Sequence, residues 1–223
     1  MLRSHKEYVP AANRDWLLPL YDPLANLLGT GRARNTLLDQ VGIDPGDHIL
    51  DIGCGTGTLV VQIKQHHPGV EIVGLDPDPK ALARARRKAE HAEVTVRFDQ
   101  GFSNQLPYPD ASFDRVLSTF MLHHPHGDEK AATMREVRRV LKPGGVFGLL
   151  DFGEPEAGTG GLLARLFPFR HHFRNTSPSQ VLSLMRQAGL AHPQMVRQNT
   201  LLAGSVYLNY FLAHAPAPEI VTP

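Results

Sequence analysis

The fold of this chain is decided by one stretch, Ile49-Leu50-Asp51-Ile52-Gly53-Cys54-Gly55-Thr56-Gly57-Thr58. The stretch begins with apolar, strand-like residues, runs into a glycine cluster, and opens onto apolar positions with helical spacing at Leu59, Val60 and Ile63. Glycines at a strand-to-helix junction allow a tight turn and let a ligand approach the main chain. The stretch therefore predicts a ligand-binding loop.

On both sides of this loop the chain alternates between strand-like and helix-like segments. Strands are predicted at 48–52, 70–75, 93–98, 113–119 and 146–152, and helices at 58–67, 79–92 and 128–141, the last ended by the Lys-Pro-Gly-Gly sequence at 142–145. A helix at 180–188 and strands near 192–197 and 204–212 follow. This rhythm predicts an α/β fold with a Rossmann-like, doubly wound, mostly parallel seven-stranded sheet and a C-terminal antiparallel hairpin.

The length fits one domain with four regions. The 223 residues are 42% hydrophobic and 20% charged, enough to bury a core. We expect an N-terminal helical cap at 1–41, a cofactor-binding core at 42–152, a lid insertion at 153–177, and a C-terminal helix and hairpin at 178–223. No apolar run reaches eighteen residues and no signal peptide is recognisable, so the expected location is the cytoplasm.

The net charge of +1 hides an asymmetry along the chain. Residues 157–223 carry five arginines and one carboxylate, Glu219. One interpretation is an anionic substrate or surface near this part, including peripheral contact of the basic, aromatic segment 162–174 with anionic lipid. The other is an ordinary solvated face, and the sequence leaves both open.

The acidic residues around the loop indicate which cofactor it binds. Asp76 ends the second predicted strand, nineteen residues after Gly57, where a doubly wound fold places a carboxylate for ribose hydroxyls. Asp51 precedes the loop and would repel a pyrophosphate but attract an ammonium or sulfonium group. The glycine spacing also departs from the dinucleotide pattern, because Thr58 stands at its last position. S-adenosylmethionine has both cations, a ribose and no phosphate.

With these residues in place, the chain resembles the class I S-adenosylmethionine-dependent methyltransferases, in the branch of ubiquinone and menaquinone biosynthesis. The resemblance covers 35–151 and rests on four segments: the loop at 51–57, VGLDPD at 73–78, QLPYPDAS at 105–112 with FDRVLSTFMLHH after it, and REVRRVLKPGG at 135–145. It implies S-adenosyl-L-methionine as cofactor and S-adenosyl-L-homocysteine as product.

The resemblance also implies roles for individual residues. The glycine loop would surround the methionine and ribose, with Asp51 facing the methionyl amino group and Asp76 the ribose hydroxyls. Pro77 or Asp78 would lie beside the adenine, and Thr119, Phe120 and His123 would lie next to the sulfonium. The expected cofactor-binding set is Asp51, Gly53, Cys54, Gly55, Gly57, Asp76, Pro77, Gly101, Phe102, Ser103 and Thr119.

One position departs from the family pattern. Many relatives carry an aspartate that contacts the adenine amino group where this chain has Phe102. Asp99 or the Ser103 hydroxyl could replace it, or Phe102 could simply pack on the ring. This departure bears on cofactor affinity and leaves the cofactor assignment standing.

The chemistry requires an acceptor held in line with the sulfur–methyl bond and, for an oxygen or nitrogen acceptor, a base. The candidate catalytic residues are His123 and His124, directly after the fourth strand, with Asp151 at the end of the fifth as a second possibility. A histidine that only shapes the wall is the alternative. We expect no metal site, because adjacent histidines on one short loop rarely converge on one ion.

The acceptor is expected to be a small or lipophilic molecule, such as a quinone precursor, a phospholipid amine or a secondary metabolite. Tyr8, Tyr21 and Arg170 are candidate substrate contacts in the segments that flank the pocket. A nucleic-acid substrate is disfavoured by the low net charge and by the Ser118-Thr119-Phe120-Met121 sequence, which lacks the motif for exocyclic amines. A non-catalytic protein that keeps the cofactor site is the remaining alternative.

Overall fold

The computed structural model describes residues 30–153, 177–201 and 206–217. Within them lie five helices and seven strands. The helices are α1 (Thr30–Val41), α2 (Thr58–His66), α3 (Pro79–His91), α4 (Gly127–Val140) and α5 (Pro178–Gln187). The strands are β1 (His48–Ile52), β2 (Glu71–Asp76), β3 (Arg97–Gln100), β4 (Phe113–Thr119), β5 (Leu141–Gly153), β6 (Ala191–Leu201) and β7 (Val206–His214).

The seven strands form one sheet in the order β3-β2-β1-β4-β5-β7-β6. Strands β1 to β5 are parallel, whereas β7 runs antiparallel to both β5 and β6. The predicted mostly parallel seven-stranded sheet with a C-terminal hairpin is therefore confirmed. The strand order reverses at β1, between β2 and β4, and such a switch point opens a crevice at the carboxyl ends of the strands.

Two apolar layers cover the sheet. Successive residues of β1 alternate between them: Ile49 packs with α1, α2 and α3, and Leu50 packs with α4 and α5. Gly148 of β5 lets α1 approach closely, because a Cβ there would collide with the Val41 Cγ2 atom. Helix α1 therefore packs directly on the sheet through Leu37 and Val41.

Two predicted boundaries were wrong. The strand predicted at 93–98 begins at Arg97, because Glu93 adopts a left-handed backbone (φ 53°) and the Val94 N–H still donates to the Ala89 carbonyl. Val94 and Val96 nevertheless pack on the core, which explains their strand-like alternation. The segment 142–145 lies inside β5 as an irregularity in its pairing with β4, so β5 begins at Leu141. Helix α4 ends at Val140 as the stop signal predicts.

The outer regions are described only in part. Of the predicted N-terminal cap, residues 30–41 form α1, and 1–29 lie outside the described residues. The predicted lid at 153–177 falls almost wholly outside them as well. Helix α5 begins with a capping box, in which Ser177 Oγ accepts from the Gln180 N–H and Gln180 Oε1 accepts from the Ser177 N–H.

Candidate functional site

A cavity of about 270 Å³ lies at the carboxyl ends of β1, β2 and β4. Its wall combines main chain from the glycine loop with polar and aromatic side chains. The wall includes Arg34, Gly53, Cys54, Gly55, Thr56, Thr58, Asp76, Pro77, Gly101, Phe102, Ser103, Asn104, Thr119, Phe120 and His124. Nine of the eleven residues predicted to bind the cofactor are in the wall, and Asp51 and Gly57 are not.

The glycine loop connects β1 to α2 and is hydrogen-bonded to the end of β2. The N–H groups of Gly53 and Cys54 both donate to the Leu75 carbonyl, at 2.8 and 3.0 Å. Gly57 has φ 73° and ends the loop at the start of α2, where a Cβ would lie 2.7 Å from that of Ala85. Gly57 therefore serves the turn and the packing of α2 on α3, and it does not face the cavity directly.

Asp76 is fixed at the centre of the cavity wall. Its Oδ2 accepts from the Gly55 N–H at 2.8 Å, and its Oδ1 accepts from the Asp78 N–H at 2.9 Å. Burial raises the pKa of Asp76, while the two main-chain donors oppose that shift. Each carboxylate oxygen keeps a further lone pair, so the group can still accept from a pair of ligand hydroxyls.

Asp51 is the most unusual acid in the described part of the chain. It is only 1% exposed, and neither carboxylate oxygen has a hydrogen-bond partner among the described residues. Burial raises its pKa to about 7, against an opposing effect of Arg34. A buried carboxylate without a donor is costly, so a cationic group in the cavity beside the neighbouring Ile52 and Gly53 would relieve part of that cost.

Arg34 on α1 is a site residue that the sequence analysis missed. Its guanidinium lies 5.8 Å from the centre of the Phe120 ring, lines the cavity and acts on Asp51 electrostatically. The side chain is buried, and its Nε has no hydrogen-bond partner among the described residues. The sequence gives little indication that Arg34 belongs to the site, because a single arginine in a polar helix ordinarily faces solvent.

The segment after β3 supplies the apolar end of the cavity. Phe102, 39% exposed, lines this end together with Pro77. Asp99 is not among the lining residues, and its carboxylate contacts the Arg97 guanidinium and the Tyr108 hydroxyl. The Ser103 hydroxyl is paired with that of Thr133. Phe102 and Pro77 thus offer flat apolar surfaces that suit a nucleobase.

The two candidate catalytic histidines have different surroundings. His123 Nδ1 lies 2.7 Å from Asp151 Oδ1, and the His123 main-chain N–H donates to Asp151 Oδ2 at 2.9 Å. His124 lines the cavity and stacks on His123, with ring centres 4.0 Å apart. Burial, followed by the neighbouring His123, lowers the pKa of His124 to about 4. The structure therefore orients one histidine with a carboxylate and keeps the other neutral.

An aromatic wall adjoins this pair. The rings of Phe120 and Phe152 are 4.8 Å apart, and Phe152 also meets His123 edge to face at 5.5 Å. Phe120 has φ 57°, so the chain turns sharply as it leaves β4 and exposes its side chain to the cavity. Phe120 and His124 line this end of the cavity, whereas His123 and Phe152 contact them without being lining residues.

Several predicted features fall elsewhere. Tyr8, Tyr21 and Arg170 lie outside the described residues. Cys54 is buried in the loop with its Sγ against Gly74, and burial raises its pKa well above the usual value, consistent with a small residue in a crowded turn.

Within 30–153, 177–201 and 206–217, no helix is long and apolar enough to cross a membrane, and no three potential ligands gather into a metal site.

Comparisons with known proteins identify a family and several relatives of this chain. The methyltransferase domain family matches residues 49–145. A demethylmenaquinone methyltransferase of Thermus thermophilus is 40% identical over 68% of this chain and 69% of its own length. A demethylmenaquinone methyltransferase of Deinococcus radiodurans is 36% identical over 70% of this chain and 64% of its own. The matches thus span about two thirds of these relatives.

Solved structures share the fold at low sequence identity. A Haemonchus contortus phosphoethanolamine N-methyltransferase 2 in complex with S-adenosyl-L-methionine has a TM-score of 0.69 at 19% identity, covering 83% of this chain and 52% of that one. The YcgJ protein from Bacillus subtilis has a TM-score of 0.68 at 22% identity, covering 83% of this chain and 99% of that one. These likenesses establish the architecture.

Proposed function

The chain belongs to the S-adenosylmethionine-dependent methyltransferases of the quinone biosynthesis branch, and from this premise we propose that it methylates a lipophilic aromatic acceptor with an acidic hydroxyl, such as a quinol. The observation that carries the proposal is the His123–Asp151 pair beside the aromatic wall of Phe120 and Phe152. A flat ring with an ionisable hydroxyl fits both features. The names of the relatives, including a 2-phytyl-1,4-naphtoquinone methyltransferase of Synechocystis, support the same acceptor class.

The cofactor would lie across the carboxyl ends of β1, β2 and β4. Asp76 would accept hydrogen bonds from the ribose hydroxyls, and Pro77 and Phe102 would cover the adenine. Asp51 would face the methionyl ammonium group. The fit rests on the unpartnered, buried polar atoms of Asp51 and Arg34, which a zwitterionic ligand end would satisfy.

When bound, S-adenosylmethionine supplies an activated methyl group and leaves as S-adenosylhomocysteine. The chain has to hold the acceptor in line and remove a proton from it. An ionised carboxylate can only accept, so Asp151 places the hydrogen of His123 on Nδ1 and leaves Nε2 as the basic nitrogen. His123 would take the hydroxyl proton as a ring carbon becomes the nucleophile. The methylated carbon would then lose its hydrogen as a proton and the oxygen would regain one, which restores the aromatic quinol. His124 would line the site without taking part in the proton transfer.

A methyl-transfer assay with chemically defined acceptors tests this proposal. Wild-type protein, methyl-labelled S-adenosylmethionine and a short-chain demethylmenaquinol are expected to give labelled menaquinol. The oxidised quinone, which lacks the hydroxyl, is expected to give none, and phosphoethanolamine serves as the unrelated amine acceptor. Transfer to the amine but not to the quinol would overturn the acceptor class.

Two alternatives are separated by the same experiment with calorimetry added. A non-catalytic protein would bind S-adenosylhomocysteine and label nothing, either in purified acceptors or in a lipid extract. A nucleic-acid methyltransferase would label RNA or DNA added in place of the quinol. Either pattern would contradict the proposed reaction while leaving the cofactor assignment in place.

A further inference from the structure

Lys88 links helix α3 to the glycine loop from behind. Its ammonium donates to Thr58 Oγ1 at 2.6 Å and to Thr56 Oγ1 at 3.1 Å. Both threonines line the cavity, whereas Lys88 is not among the lining residues. A fixed positive charge therefore stands directly behind two hydroxyl groups of the cavity wall.

This arrangement changes what the two hydroxyls can bind. Both hydroxyls accept from the ammonium group, and with their oxygens 3.5 Å apart one of them can donate to the other. The hydroxyl at the end of this chain still carries a hydrogen, and the adjacent cation makes it a stronger donor. Thr58 is also the first residue of α2, after Gly57, which has no capping side chain. The first main-chain N–H groups of a helix favour an anion. Hydroxyls, amides and cation thus all favour a negative ligand group.

An independent side chain points to the same ligand charge. Arg34 comes from α1, on a different part of the chain, and lines the same cavity with its Nε unpartnered among the described residues. Arg34 is buried, so it has lost its contact with bulk water without gaining a full set of acceptors. An anionic group in this part of the cavity would supply the missing acceptor.

We propose that Lys88 is a positioning residue that acts through Thr56 and Thr58 to hold the carboxylate of the cofactor's methionyl group. The inference rests on the cofactor placement given above. The amino-acid end of S-adenosylmethionine is a zwitterion, and Asp51 receives its ammonium. Its carboxylate then meets the side of the cavity formed by Arg34 and the hydroxyls that Lys88 fixes.

A purely structural role for Lys88 makes a different prediction. If the lysine only fastens α3 to the loop, removing it loosens the whole cavity and weakens every ligand alike. If it serves the carboxylate, its removal weakens only ligands that carry this group. The two roles are therefore separated by a ligand pair that differs in the carboxylate alone.

The experiment is calorimetric titration of the full chain with S-adenosylmethionine and with decarboxylated S-adenosylmethionine. For Lys88→Met we expect affinity for S-adenosylmethionine to fall about tenfold, as for the loss of one charge-assisted contact, and affinity for the decarboxylated ligand to stay within about twofold. Arg87→Met, which removes the exposed neighbouring charge on α3, is the matched control and should leave both affinities unchanged.

Two further variants keep the test decisive if Lys88→Met folds poorly. Lys88→Arg retains the charge and donors and should bind both ligands as the wild type does. Thr58→Val removes one hydroxyl and should reproduce the selective loss. Equal weakening of both ligands, or no weakening of either, would overturn the proposal. Wild-type protein that binds neither ligand would instead contradict the cofactor placement on which it rests.

Discussion

At the scale of single residues, the cavity is organised by carboxylates with opposite tasks. Asp76 is already held by two main-chain donors, whereas Asp51 is buried without any among the described residues. The first is ready to accept further hydrogen bonds from neutral hydroxyls. The second gains most from a cation, since it has no hydrogen-bond donor among the described residues and only the electrostatic effect of Arg34 opposes the cost of its burial. Their difference predicts different responses to mutation and to pH.

Replacement of Asp76 is expected to abolish tight cofactor binding. Asp76→Asn removes the charge and one acceptor while keeping the shape, and it should weaken S-adenosylhomocysteine binding by at least about tenfold, because hydrogen bonds to a charged group contribute about 1.5–3 kcal/mol each. Calorimetry measures the effect. Asp110→Asn, a highly exposed position near Arg139, is the control and should bind normally. Unchanged affinity in Asp76→Asn would remove the ribose assignment.

The raised pKa of Asp51 predicts a pH dependence of cofactor affinity. Burial raises this pKa to about 7, so Asp51 is largely protonated below that pH and ionised above it. Since only the ionised form attracts an ammonium group, affinity should increase as the pH rises from 6 to 8. Calorimetry across this range tests the expectation, and the decline at low pH should disappear in Asp51→Asn, which binds weakly at every pH.

The same group has the reverse effect on folding stability. A carboxyl whose folded-state pKa is raised contributes most below its unfolded value near 4, and that contribution is lost as the pH rises through about 7. At pH 8 the uncharged Asp51→Asn should therefore be more stable to urea than wild type, by roughly 2–4 kcal/mol. Equal stability of the two proteins at pH 5 and at pH 8 would contradict the assigned burial cost.

The histidine pair predicts a division of labour. His123→Asn should lower kcat by about one hundred- to ten-thousandfold with cofactor affinity unchanged, since general-base contributions fall in that range. His124→Asn should have a smaller effect, because a pKa of about 4 makes His124 a weak proton acceptor. Steady-state kinetics with a quinol acceptor measures both, and a larger loss in His124→Asn would reassign the base.

At the scale of elements, the site depends on how closely α2 and α3 pack behind the glycine loop. Gly57 has a left-handed backbone, and a Cβ atom at this position would lie 2.7 Å from the Cβ atom of Ala85. The contact leaves no space for a side chain. The loop therefore keeps its shape because the two helices hold it.

A methyl group at Gly57 should therefore destabilise the protein and distort the loop. Gly57→Ala is expected to cost on the order of 2 kcal/mol in urea unfolding and to weaken S-adenosylhomocysteine binding. Gly42→Ala is the control: its backbone is also left-handed (φ 63°), but a Cβ there meets nothing within 4 Å. Gly42→Ala should lose only the stability that the strained left-handed backbone costs, and its cofactor affinity should stay unchanged. Equal affinity losses in both variants would refute the packing argument.

Element boundaries were the least predictable part of the fold. Residues 93–96 alternate like a strand because Val94 and Val96 do pack on the core, yet β2 offers partners only from Val73, opposite Arg97. Alternating apolar residues indicate that one face of a segment is buried, but a strand also requires a neighbouring strand to which it can hydrogen-bond. The 142–145 segment shows the converse, since glycines and a proline are accommodated inside β5 by a shift in register.

At the scale of the whole molecule, ligand binding should be visible as global stabilisation. Any ligand that binds only the folded chain stabilises it by about 2.7 kcal/mol at one hundred times its dissociation constant. S-adenosylhomocysteine is therefore expected to raise the melting temperature by several degrees. NAD should raise it by none, because Asp51 lies ahead of the loop and repels a pyrophosphate. Thermal unfolding with both ligands checks this, and a shift with NAD alone would overturn the cofactor selectivity.

The sequence by itself determined the sheet, the loop and the family. Periodicity and glycine spacing are local properties, so the strand–loop–helix unit, Asp76 and the two histidines could be recognised from neighbouring residues. The loop motif also located most of the cofactor wall, because main chain that follows a strand end must face the crevice.

Only the tertiary structure decided which distant side chains complete the site. Arg34 and Lys88 come from two different elements, and nothing in their local sequence marks them as neighbours of the cavity. Asp151 was a candidate from its place at a strand end, but its contact with His123 was visible only in the fold. The two histidines look equivalent in sequence, and Asp151 distinguishes them by contacting one. The physical reason is that burial and electrostatic partnership depend on how elements pack, and packing joins residues that the chain keeps far apart.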